Sequence, residues 1–119
     1  MFNEILTKIT QRMEGQALGA ILMDKEGISV EKHGTGGGFD VETTAMEYSV
    51  ILKDVFKAAE MINAGEVSEM IVRNQQFSIL LRVLDKTYFV ALFVKPGGSV
   101  GKGRFVLRWA STELKKEML

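Results

Sequence analysis

The stretch from Glu42 to Ile62, ETTAMEYSVILKDVFKAAEMI, holds neither glycine nor proline. A run that long without a breaker predicts a single helix of roughly 30 Å, at about 1.5 Å rise per residue. Whatever the chain folds into must cover one side of it. At about 100° per residue, Tyr48, Ile51, Leu52, Val55, Ala59 and Ile62 share a face, the expected core side. The opposite side is not simply polar. Met46, Val50, Lys57 and Met61 form a column there, with Glu42, Lys53 and Glu60 along one border and Glu47 and Asp54 along the other. Apolar residues in line inside a mixed-charge rim predict a surface that meets another protein. Scattered surface methionines are the plainer alternative, because single exposed apolar side chains are common.

The rest of the chain supplies a sheet for this helix. Phe2, Ile5, Leu6, Ile9 and Met13 keep helical spacing, and Gly15 is placed to end that first helix. Ala17 to Met23 is apolar on both faces and too short for a typical helix, so it reads as a buried central strand. Residues 24–27, DKEG, make a hairpin turn into a short strand, Ile28 to Lys32, with the charged end of an edge strand. The segment 33–38, HGTGGG, is a loop, and Asp40 is placed to cap the long helix. Three strands follow: Val67 to Arg73, Phe77 to Leu84 and Tyr88 to Val94, separated by short turns at 74–76 and 85–86. PGGSVGKG, 96–103, breaks the sheet, and Val106, Leu107, Ala110, Leu114 and Met118 predict a last helix.

Strands that are apolar throughout belong in the middle of a sheet. The first and the fifth are the most apolar, so they should be neighbours with their hairpin partners outside them. The expected fold is an α+β sandwich: a five-stranded antiparallel sheet of order 2-1-5-4-3, the long helix on one face and two helices on the other. Strand three then lies at an edge, with Val67, Glu69, Met70, Ile71, Val72 and Arg73 open to pairing. Pairing with a second copy across a two-fold axis would extend the sheet and bring two long helices together, so a homodimer is expected.

Composition narrows the function. The chain has 119 residues, enough for one domain with its own core, and 15 basic against 15 acidic residues. A formal net charge of +0 disfavours nucleic acid as the main partner. The absence of cysteine removes disulfides and thiol catalysis and suits the cytoplasm. The opening residues carry charges throughout, with no signal-type apolar core and no run long enough to span a bilayer. A soluble, cytoplasmic protein is expected.

Two glycine-rich segments invite a nucleotide-binding reading. Gly97 to Gly103, GGSVGKG, lies between a strand and a helix, as a phosphate loop would. That loop needs glycine at its first position and a Ser or Thr hydroxyl after the lysine. Here Pro96 and Gly103 occupy those places, so a turn is the expected role. HGTGGG lacks the spacing of a dinucleotide fingerprint, and His33, the only histidine, has no partners for a triad or a metal site. No catalytic residue, cofactor or metal is expected.

The order helix, hairpin, long helix, three-strand meander, helix resembles the roadblock/dynein light chain family across essentially the whole chain. The resemblance is carried by YFVALFVKPGGSVGKGRFVLRWASTEL, with Gly101, Arg104 and Leu107 in the family's places, by Asp85, and by the first strand ending in Asp24 to Gly27. Single-domain bacterial members of the MglB type are the most similar. The resemblance implies dimerisation through strand three and the long helix, and regulation of a small Ras-like GTPase of the MglA type without an active site of its own. It also implies activation without an inserted arginine, which agrees with a long helix that carries none. The expected GTPase interface is the helix column, Met46, Glu47, Val50 and Lys53 with Asp54, Lys57, Glu60 and Met61. A scaffold for such a GTPase is a second reading. A small-molecule sensor of the profilin-like α/β type, with HGTGGG as lid, is a third.

Overall fold

Short-range chemistry at the turns sets the order of the backbone. The computed structural model describes residues 1–34 and 38–118. Its elements are α1 (Phe2–Arg12), β1 (Ala17–Asp24), β2 (Ser29–His33), α2 (Val41–Met61), β3 (Glu69–Arg73), β4 (Ser78–Val83), β5 (Tyr88–Val94) and α3 (Val100–Glu117). Three hairpin turns are closed by a side chain at their start. Asp24 Oδ1 accepts from the amides of Glu26 and Ile28 at 2.9 and 3.0 Å. Asn74 Oδ1 accepts from Gln76 and Phe77, both at 2.9 Å. Asp85 Oδ1 accepts from Thr87 and Tyr88, both at 2.8 Å. Each pins the register of the strands it joins.

The strands form one antiparallel sheet of order β2-β1-β5-β4-β3, as expected. In β1 and β5 the alternation splits two apolar sets between two faces. Ala20, Leu22, Val90, Leu92 and Val94 meet α1 and α3; Ile21, Met23, Phe89, Ala91 and Phe93 belong to the core on the α2 side. Burial on both faces is what places these two strands centrally.

Helix boundaries follow their caps. Asp40 opens α2, its side chain accepting from the Thr43 amide at 3.2 Å. Those contacts with the Thr43 hydroxyl and amide hold the Asp40 carboxyl below its ordinary value of 3.8. Ser99 opens α3 by accepting from the Lys102 amide at 3.0 Å. So α3 begins inside the glycine-rich segment: the turn expected over 96–103 ends at Ser99, and Val100 to Gly103 is already helical. A methyl group on Gly103 would lie 2.9 Å from Leu80 Cδ2 and 3.3 Å from Leu92 Cδ2, so the missing side chain lets α3 press onto the sheet. One strand expectation shifts and two shorten: β2 runs from Ser29 to His33, leaving Ile28 outside, β3 starts at Glu69, leaving Val67 outside, and β4 spans Ser78 to Val83, leaving Phe77 and Leu84 outside. The loop expected over 33–38 lies partly outside the described residues.

The core face of α2 also differs from the expected one. Val41, Ala45, Ser49 and Leu52 are buried, with Tyr48 and Phe56 packed against the same core. Ile51 and Ile62, expected to be buried, are 46% and 74% exposed. Small residues face the sheet because the helix lies close to β1 and β2, and the larger aliphatic ones are turned off it.

Candidate functional site

The two flanks of α2 have different surroundings. One is fastened to the β1–β2 hairpin. Lys53 Nζ meets Glu26 Oε2 at 2.7 Å, and Lys32 Nζ meets Glu42 Oε1 at 3.2 Å. Gly27, at φ +87°, sits under Met46, whose Cγ would be 2.9 Å from a Cβ there. The other flank faces β4 and β3, where the Tyr48 ring meets Phe77 edge-on with centroids 6.3 Å apart. Along that flank run Tyr48, Ile51, Val55, Ala58 and Ile62, spaced 3, 4, 3 and 4 residues. This is the spacing of a seam that receives a second helix. None of the five is fully buried, and Ile51, Ala58 and Ile62 are exposed.

The seam continues into the sheet edge. Met70 and Val72 of β3 point to the α2 side and are half-buried, in the same apolar cluster as Tyr48 and Phe56. Ile71 points to the other face and packs against the α1/α3 core. β3 bonds only to β4, so its outer backbone edge is unpaired among the described residues. Glu69 accepts from Arg82 at 3.4 Å and forms an ion pair with Arg104 at 2.5 Å, while Arg73 is exposed at the strand's end. Val67 is half-buried just outside β3.

Of the expected helix column, Val50 and Met61 stand outermost, 57% and 83% exposed, with Glu47, Asp54, Lys57 and Glu60 exposed around them. Met46 and Lys53 lean onto the hairpin and are separate from that crest. The geometry thus resolves one apolar side of the helix into three strips: a hairpin-fastened border, an outer crest and a seam beside the open strand. The seam was missed in the sequence, although its 3-4-3-4 spacing was there to count.

Lys102 forms an ion pair with Glu14, which lowers that carboxyl's affinity for protons. It is therefore engaged elsewhere than in a phosphate cradle. Among the described residues no cluster of acidic residues, histidine or cysteine could hold a metal ion, and no helix is long and apolar enough to cross a membrane. Two surface hollows of about 210 and 340 Å³ lie by the ends of α1 and α3, away from α2.

No family model and no curated protein matches the chain by sequence. Solved structures do. MglC from Myxococcus xanthus is 30% identical, with 98% of each chain covered and a TM-score of 0.69. The chain belongs to the roadblock family. Myxococcus xanthus MglB superposes more closely, at TM-score 0.86, with 19% identity over 98% of this chain and 94% of that one. The Roadblock/LC7 domain from Streptomyces avermitilis gives 0.84 at 12% identity, over 98% and 96%. MglC shares more of its residues with the chain, whereas MglB superposes on it more closely.

Proposed function

We propose that this roadblock protein is a non-enzymatic regulator of a small Ras-like GTPase of the MglA type and acts in the cytoplasm as a homodimer. The observation that carries the reading is the continuity of the α2 seam with the open β3 edge. In the proposed dimer two β3 strands pair antiparallel, and Tyr48, Ile51, Val55, Ala58 and Ile62 of each α2 pack against the partner helix. Val50, Asp54 and Met61 then stand on the outer surface of the helix pair, where the GTPase docks, with Glu47, Lys57 and Glu60 at the rim.

No arginine lies on α2, so no guanidinium on that surface can complete the GTPase active site. The proposed action is to fix the position of the GTPase's own catalytic groups. Single-turnover GTP hydrolysis by a purified MglA-type GTPase tests this directly. Activation is expected to disappear with Val50→Asp, in a protein that still sediments as a dimer. Binding without any change in turnover identifies a scaffold instead. Loss of about 10³-fold in rate from one Arg→Ala variant, with binding kept, would contradict the mechanism.

A further inference from the structure

The side of the sheet opposite α2 has a surface of a different kind. On α3, the flank turned toward β3 carries Arg104, Arg108 and Lys115. They are spaced four and then seven residues apart, which aligns them along about 16 Å of helix. On the strand side the carboxylate of Glu69 is already divided between Arg104 at 2.5 Å and Arg82 at 3.4 Å. The other acids of α3 are spent or turned away. Glu113 pairs with Lys116 at 3.3 Å, and Glu117 lines a hollow with Phe2 and Met118 beside α1. Arg108 and Lys115 are exposed and form no ion pair among the described residues. Beside them Phe105 is 67% exposed, the one large apolar side chain of α3 turned to solvent.

A chain of formal net charge +0 has therefore gathered cations of one sign along a single helix flank, next to an uncovered aromatic ring. We propose that this flank of α3 is a docking surface for an acidic segment of a partner protein. Its carboxylates meet Arg104, Arg108 and Lys115, and one apolar side chain covers Phe105. Charge complementarity selects the occupant. Guanidinium groups bind carboxylates through paired hydrogen bonds, and exchanging water for such a partner lets the Phe105 ring be buried in the same step. A lipid surface fits less well, because one exposed aromatic ring offers little apolar area to insert. The surface lies across the sheet from α2, so it is independent of the GTPase reading.

The test is fluorescence anisotropy with a labelled helical peptide of about fourteen residues. It carries glutamates spaced four and seven apart and one leucine beside the first; a lysine version is the control. The acidic peptide should bind the full chain and the lysine version should not, and binding should weaken as salt rises. Arg108→Glu with Lys115→Glu should weaken it by about tenfold or more, and Phe105→Ala by a few-fold, with thermal unfolding of both variants unchanged. Equal binding of the two peptides, or an affinity untouched by these variants, would overturn the proposal. So would tighter binding to phosphatidylserine vesicles or to a DNA duplex than to the acidic peptide.

Discussion

α2 and α3 are helices of similar length packed on opposite faces of one sheet, yet they use their apolar residues differently. α3 spends its apolar face on the core: Val106, Leu107, Ala110 and Leu114 are each no more than 3% exposed, and Gly103 brings the helix close to Leu80. α2 buries mainly small residues, Ala45 and Ser49 among them, and leaves Val50, Ile51, Met61 and Ile62 in water. Apart from Phe105, α3 has a polar outside, as a helix packed within the chain should. A helix without one points to what it packs against next. The apolar residues of α3 lie mostly in the core, whereas α2 leaves several of its own in water.

Substitutions that treat the two helices alike should therefore give unlike results. The largest effect on stability is expected from Leu114→Ala in α3, at about 2–5 kcal/mol, from lost burial and the cavity left behind. Urea unfolding measures it. The corresponding change in the seam, Ile51→Ala, should cost the isolated chain about 1 kcal/mol or less, because the side chain is already half in water. Equal losses at the two sites would mean the seam belongs to the core.

A smaller effect tests where α3 begins. Ser99→Ala removes the side chain that accepts from the Lys102 amide and should lower stability by about 1 kcal/mol, read as a shift in the urea midpoint. Lys102→Ala should leave the fold intact and abolish no nucleotide binding, since its ammonium is held by Glu14. At the start of α2 the corresponding cap titrates. Asp40 has its folded pKa lowered by Thr43, so its contribution is complete above the ordinary value of 3.8 and is lost as pH falls below it. Asp40→Asn keeps a capping oxygen and should flatten that part of the acid-unfolding curve, the smallest of these effects.

Much of this could be read from the residues. The sheet order followed from Ala17 to Met23 and Tyr88 to Val94 being apolar throughout, because only central strands need two apolar faces. Asp40 and the long helix were legible for the same local reason, a capping side chain ahead of an unbroken run. The face of that helix was not. A helical plot finds one apolar direction, but α2 carries two apolar strips, one on the sheet and one along the exposed seam. The plot's average fell between them and took Ile51 and Ile62 for core. The start of α3 was hidden because Gly101 and Gly103 are poor helix formers. Packing of Gly103 against Leu80 and Leu92 overrides that preference, and no single-sequence pattern reveals it. The arginines at 104 and 108 were visible singly, but only the fold brings Arg104 to Glu69.

The central claim is that the seam on α2 and the edge of β3 are kept for a second copy of the chain. Sedimentation equilibrium at low micromolar concentration tests it most directly, comparing the native chain with Ile51→Asp, Val55→Asp. The native chain is expected at twice its monomer mass. The double variant is expected at the monomer mass with its circular dichroism unchanged. A native chain that sediments as a monomer, or a folded double variant that remains a dimer, would contradict the account.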